Sequence, residues 1–417
     1  MLARRVVREL RHAGSSASFV PVRIAGAKLF SSTGSMTWPR EAEGNVYAVN
    51  WSLTEDGVVP VGAAYRNARL PVLATRLPAK VDGNKVEVPK IAYTGSFKVV
   101  EAGEGMTHVA FTNMLADQQA YLSSGIDIFV EDAGLCASAA ARIGVRVVTD
   151  TSAVALVART LLIPVPDRPV DHRARFDGWN FDPRWEEPEI KWTGSSYTVN
   201  DKPVTPAKGQ RPVVAYVGGP GDTVAVQFVE SNKRIVGANV CVGGSAPIRA
   251  MVDAVGLASS VVINELNKTA LALPSLSVVK GANTVVIVGA DDSLVDAAVS
   301  SSLAYGAYHN VVTAAGVSAL WNGVVSTPAS AKVTGRLVPP MVTSGGKAAV
   351  SLAPNNLANP AKAFVFFEKG KPKAVLSEED AVKRLVAASD DSKAELAKSL
   401  VKGVKCYVAG SMADVEL

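Results

Sequence analysis

Residues 212–262 read PVVAYVGGPGDTVAVQFVESNKRIVGANVCVGGSAPIRAMVDAVGLASSVV, and their pattern decides the fold. Three apolar runs, Val213–Val217, 223–229 and 235–242, are separated by Gly, Pro, Asp and Asn and lead into an apolar stretch, 247–262, of helical length. Short β-branched runs punctuated by turn residues predict strands, and alternation of strand with helix predicts an α/β sheet. The pattern continues with a strand at 284–288 and helices at 294–308 and 377–402, the last begun by Ser377 with Asp380 as an N-terminal cap. Upstream, 57–110 reads as strands and hairpins with a turn at Asp82-Gly83-Asn84, 106–123 as helix, and 126–130 and 143–148 as strands. Residues 165–212, rich in Pro and aromatics such as Trp179, Trp185 and Trp192, form a connector, and 344–362 loosens again.

Composition bounds the function. The chain has 417 residues, 48% hydrophobic and 19% charged, which suits a globular protein with a substantial core. It carries 43 basic and 38 acidic residues; residues 1–35 hold six basic side chains and one acid, leaving 37 of each in the body. A neutral body argues against nucleic-acid binding. Segment 1–35 combines Arg4, Arg5, Arg8 and Arg11 with Leu2, Val6, Val7 and Leu10 on a potential amphipathic helix, which is how a mitochondrial presequence reads. Cys136, Cys241 and Cys406 lie far apart, and His108, His172 and His309 have no metal-ligand spacing, so neither a disulfide framework nor a metal site is expected. The uncharged stretch 297–331 contains Ser, Tyr, His and Asn, which favours a buried helix and strand over a membrane span.

Two loops invite a chemical reading. Val217-Gly218-Gly219-Pro220-Gly221-Asp222 follows a strand but lacks the Lys-Ser/Thr of a P-loop, so a tight turn is the simpler reading. The strand ending in Gly289-Ala290-Asp291-Asp292-Ser293 could face a nucleotide or magnesium ion; alternatively Asp291 caps the helix that follows.

Taken in order, several segments resemble ATP-dependent phosphoenolpyruvate carboxykinase. The similarity is carried by Ile128-Phe129-Val130-Glu131-Asp132-Ala133-Gly134, Arg142 to Thr149 and Leu161-Leu162-Ile163-Pro164, and by Asn67-Ala68-Arg69-Leu70-Pro71, which looks like that family's substrate loop. Downstream it is carried by Gly243-Gly244-Ser245, Leu273-Pro274 and Gly289, over roughly 57–335. The resemblance implies an α/β, mixed-sheet, carboxykinase-like two-lobed fold truncated at the C-terminus: presequence 1–35, N-terminal lobe with connector 36–211, and nucleotide-lobe-like domain 212–417.

The same comparison implies lost chemistry. Val295 stands where the family's phosphate-binding Lys would be and Asp296 where a hydroxyl would hold magnesium, so Gly289, Asp291, Asp292, Val295 and Asp296 form a degenerate P-loop. The family's metal-binding His would fall near Leu276, its Tyr and Lys near Pro247, Val252 and Asp253, and its Asp pair near Ala314 and Ala315. Arg69 alone survives as an anion contact. A looser likeness of 219–310 to an aldehyde dehydrogenase cofactor region lacks the nucleophilic Cys.

The expectation is therefore a protein with no catalytic residues, cofactor or metal. It would be an accessory subunit of a mitochondrial complex at the matrix or the matrix face of the inner membrane, contacting other protein subunits, with no transmembrane helix. The respiratory chain, cytochrome c oxidase in particular, and the ATP synthase are the candidate hosts. The alternatives are an enzyme using Arg69 with Asp291 or Asp292, or a module that binds an anion near Arg69.

Overall fold

The computed structural model describes residues 53, 56–68, 70–76, 98–164, 212–326 and 358–416 apart from scattered single positions, together with short strands within 81–88, 190–203 and 341–352. Arg69, the segment 1–35 and most of the aromatic connector lie outside the described residues.

The first sheet is built from β1 (Ala64–Arg66), β2 (Val99–Glu101), β3 (Ile128–Leu135), β4 (Ile143–Thr149), β5 (Val213–Val217), β6 (Val224–Ser231) and β7 (Arg234–Val242), in the order β1-β3-β4-β5-β7-β6-β2, with Ile163–Pro164 added beside β3. It is mixed: β4, β5 and β7 run parallel at its centre, whereas β3 and β6 are antiparallel to their inner neighbours. Strands from both sides of residues 211–212 lie side by side in it. Helices α1 (Leu70–Thr75), α3 (Ser152–Leu161) and α4 (Pro247–Leu266) belong to one face, with Val145, Val147, Ala215, Val217 and Val240 in its core. On the other face, α2 (His108–Leu122) seats Phe111 and Leu122 against Val130, Val148, Tyr216 and Cys241.

The second sheet comprises β8 (Leu271–Lys280), β9 (Asn283–Val288), β10 (His309–Thr313), β11 (Gly316–Ala319), β12 (Ala361–Phe367) and β13 (Lys405–Ala409), in the order β11-β10-β8-β9-β12-β13, closed by Ala374–Val375. It too is mixed: β9, β12 and β13 are parallel, the rest antiparallel. Helix α5 (Asp292–Ser300) covers one face through Leu294, Val295 and Ala298, and α6 (Glu378–Ala388) with α7 (Ala394–Val401) covers the other through Ala381, Leu385, Ala397 and Val401. Two mixed sheets with helices on their faces make this an α/β protein.

The differences from the sequence expectation have local causes. The helix expected over 294–308 stops at Ser300, and Ala304–Gly306 becomes a strand beside β8. The helix expected over 377–402 breaks after Ala388 because the Asp390 carboxylate caps a new turn, accepting from the Ser392 amide at 2.6 Å. Strand β8 escaped the pattern because Pro274 interrupts it. Pro274, exposed, sits where the strand changes partner from β10 to β9, a position where a missing N–H does least harm. The strands that flank the expected turn at Asp82-Gly83-Asn84, Val81–Asp82 and Lys85–Val88, pair antiparallel, while Gly83 and Asn84 themselves lie outside the described residues. The segment 344–362 contains a strand, Ala349–Leu352, paired with Gly323–Ser326.

Helix α4 packs against β5, β6 and β7 of the first sheet and against β8 and β10 of the second. Near its C-terminus the Asn264 side chain imitates a strand, donating to the Ala272 carbonyl and accepting from the Ala272 amide, both at 2.8 Å. At its middle, Gly256 admits His309 and Trp321: a Cβ there would lie 2.6 Å from His309 Nδ1 and 3.3 Å from Trp321 Nε1. Burial pushes the His309 imidazole down to about 4.

Two stability outcomes follow from this packing. His309 titrates below its unfolded value of 6.5, so the unfolded chain takes up the proton first; stability is full above about pH 6.5 and falls as pH drops towards 4, by about 3 kcal/mol. Urea unfolding of wild type and His309→Gln at pH 7 and pH 4.5 checks this, the variant showing the shallower loss. Secondly, Arg146, fully buried and bonded to Asp132 and Asp56, should not tolerate Arg146→Met: two carboxylates would be left facing an apolar chain, costing about 3–5 kcal/mol on urea unfolding.

Candidate functional site

The parallel strands β4, β5 and β7 end together, and α3 and α4 start just beyond. In α/β proteins this is where anionic ligands settle, on backbone N–H groups at helix N-termini. The loops here are Asp150-Thr151, Gly218 to Asp222, and Gly243-Gly244, so the sequence offers the glycines such a cradle needs.

The geometry gives those glycines another purpose. A Cβ on Gly218 would lie 2.2 Å from Asp150 Oδ1, and one on Gly219 would lie 3.1 Å from the Tyr121 ring. A Cβ on Gly244 would lie 2.4 Å from Asp222 Oδ1, and one on Gly243 would lie 3.0 Å from the Gly221 carbonyl oxygen. Glycine is required because the loops pack on one another. Asp150 accepts from Tyr121 Oη at 2.7 Å and Thr151 Oγ1 at 2.9 Å, while Gln118 Nε2 donates to the Gly218 and Val242 carbonyls. The Asp150 hydrogen bond raises the Tyr121 phenol to about 12, with burial adding to it. A phosphate placed here would meet the carboxylates of Asp150 and Asp222.

The loop after β9, expected from the resemblance to be a degenerate P-loop, is equally occupied. Gly289 takes a positive φ of 78° as the chain leaves β9. Asp291 caps α5, its Oδ1 accepting from the Leu294 amide at 2.9 Å and from Ser293 Oγ at 2.6 Å, and these hydrogen bonds hold its carboxyl below the ordinary range. Asp292 accepts from Arg249 Nη2 at 3.0 Å. Val295, at the position of the resemblance's phosphate-binding Lys, is 2% exposed and packs in the second sheet's core, so it points away from any loop ligand. Asp296 is half-buried on the same helix.

Arg249 organises the surrounding charges. Its Nε donates to both Asp253 oxygens at 3.0 Å, its Nη1 donates to Tyr308 Oη at 3.1 Å, and its guanidinium lies 4.3 Å from the Tyr308 ring centroid. Burial raises the Asp253 carboxyl, opposed by Arg249. The other positions implied by the resemblance are also structural: Leu276 and Val252 are buried, and Ala314-Ala315 form the exposed turn between β10 and β11. Among the described residues no group of three or more His, Cys, Asp or Glu is arranged to hold a metal ion, and no helix is long and apolar enough to cross a membrane. The three cysteines are buried and free.

Sequence reasoning overlooked the charges inside β3 and β4. Asp132 accepts from Arg146 Nε and Nη2, each at 2.6 Å, and from Arg66 Nε at 2.7 Å; Arg146 Nη1 reaches Asp56 at 2.7 Å. Glu131, on the opposite face of β3, is fully buried beside Arg159. The available signal was charge within otherwise apolar runs, Glu131-Asp132 in IFVEDAGL and Arg146 in IGVRVVT.

Compared with known families and curated proteins, the sequence matches no family model and no curated protein.

Val295→Lys tests whether the loop after β9 is a dormant phosphate site. The new ammonium enters the core, so urea unfolding should show a loss of about 2–5 kcal/mol, and MgATP should leave the variant's melting temperature unmoved. A rise with MgATP would revive the phosphate reading.

Proposed function

We propose that this chain is a catalytically inactive, carboxykinase-like accessory subunit of a mitochondrial multi-subunit complex. The observation that carries the proposal is the fate of the positions at which the resemblance would put phosphate and metal contacts. Val295, Leu276 and Val252 are core residues, Asp291 is a helix cap, and Asp292 and Asp253 are partners of Arg249. A scaffold can persist while its chemistry disappears, because core packing and reactive groups are separate demands on the sequence.

The basic, acid-poor segment 1–35 supports import into mitochondria, and the neutral body favours protein partners over nucleic acid. The respiratory chain, with cytochrome c oxidase foremost, and the ATP synthase are the hosts proposed, with the chain at the matrix or peripheral to the inner membrane. Arg69 would then be an anion contact without a reaction to serve.

Native-gel separation of detergent-solubilised mitochondria, with mass spectrometry to locate the chain, tests this reading. The expected result is comigration with the subunits of one respiratory complex or of the ATP synthase, and no melting-temperature shift of the purified chain with MgATP. Migration alone, near the mass of a single chain, would sink it.

A further inference from the structure

The second sheet has one edge that the described residues leave bare. Ala374–Val375 pairs antiparallel with β13, Val375 opposite Tyr407, and lies outermost beyond β9, β12 and β13. Residues 369–375 are exposed throughout, and Val375, 77% exposed, is the most open large apolar side chain among the described residues. Its backbone is open as well. The Leu376 amide donates to the Cys406 carbonyl at 2.9 Å, so by strand alternation Ala374 and Leu376 turn their polar groups to β13 while Val375 turns its N–H and C=O outwards. Outward amides and carbonyls on a sheet edge are a template for another strand.

The charges beside the edge identify that strand. Sheet edges are commonly guarded by Lys and Pro, and both occur here, so their arrangement decides what can approach. Pro372 shares the inner register of Ala374, and its missing N–H takes nothing from the outer edge. The charges are segregated: Lys369, Lys371 and Lys373 precede the strand, and Glu378, Glu379 and Asp380 follow it. A parallel copy would set like charge against like. An antiparallel copy matches: with Val375 opposite Val375 across a two-fold axis, Lys371 of each chain comes towards Glu379 of the other. Both groups are accessible, since Lys371 is exposed and the Glu379 side chain is 78% exposed, its pair with Lys383 at 2.7 Å lying at the surface too. Lys373 is instead engaged by Glu416 over the Tyr407 ring.

We propose that this edge is a self-association surface: two copies of the chain join strand to strand at Ala374–Val375, antiparallel about a two-fold axis, so that the second sheet continues from one chain into the next. The Val375 N–H and C=O of each copy bond to those of the other, the two Val375 side chains meet on the axis, and the opposed charge runs fix the direction. So short a strand buries little area, which makes the dimer weak and concentration-dependent. The accessory-subunit reading stands apart from this one: that reading rests on comigration with other subunits, this one on self-association of the purified chain.

Sedimentation equilibrium of the purified full chain, from low to high micromolar concentration, is the test. The expected result is a monomer–dimer equilibrium that weakens in high salt as the rim charges are screened. Val375→Lys, at an exposed position that leaves the fold intact, sets two ammonium groups opposite each other on the axis and should weaken the dimer by about tenfold or more. Lys371→Glu and Glu379→Lys should each weaken it severalfold, and the double variant, which restores opposite charges, should recover it. A chain that stays monomeric at every concentration overturns the proposal, as does a dimer that Val375→Lys leaves as tight as wild type. So does a double variant no tighter than the single ones, since the opposed charge runs are what fix the pairing.

Discussion

The fully buried pairing of Arg146 with Asp132 fixes the first sheet. The guanidinium meets the carboxylate through two parallel hydrogen bonds of 2.6 Å, a geometry that only one antiparallel register of β3 and β4 allows. A slip of β3 by one residue would turn Asp132 into the apolar layer under α3 and leave Arg146 on the other face without it. Arg66 draws β1 to the same carboxylate, and Asp56 brings the preceding turn over Arg146, where its backbone carbonyl also receives Tyr216 Oη at 2.7 Å. Such a cluster contributes little net stability compared with an apolar replacement. What it supplies is a penalty for every other arrangement.

The second constraint is α4, which serves two sheets at once. A helix between two β-layers must have small residues where backbones approach and polar residues where strand ends need partners. Gly256 meets the first demand, letting the His309 and Trp321 rings lie against the helix axis. Asn264 meets the second, standing in for a missing strand beside Ala272. Arg249 in the first turn ties the helix to α5 through Asp292 and to the chain before β10 through Tyr308. The residues that would look reactive in a sequence are thus recruited to hold the second sheet against the first.

The class of fold was legible because the central strands are short, β-branched and punctuated by glycine, and because hydrophobic periodicity is a local property. Helix ends set by side-chain caps, such as that of Asp291 on α5, were legible for the same reason. The break at Asp390 and the strand through Pro274 were not, since both depend on which neighbour each backbone group meets. The candidate site divides in the same way. That Gly218 to Asp222 forms a turn can be read from its residues, but that Asp150 and Tyr121 crowd its glycines is a non-local fact. The Glu131–Arg159 and Arg146–Asp132 pairs join residues that are distant in sequence or on adjacent strands, so spacing alone could not match charge to charge.

The loop after β9 shows why a strand end can keep the form of a phosphate loop without its chemistry. A parallel strand that feeds a helix must turn sharply, which calls for a residue at positive φ, and the helix must have its first amides satisfied. Gly289 and Asp291 meet those two requirements whatever the ligand. Phosphate binding adds a third requirement, a cation beyond the helix start, and at that position Val295 is instead committed to the core. Backbone geometry therefore constrains the glycine and the cap independently of function, while the side chain that would define function is free to become apolar. With no cation at that turn to hold an anion, the Asp292 carboxylate pairs with Arg249 of α4, so the same turn that lacks a phosphate contact carries the α4–α5 tether.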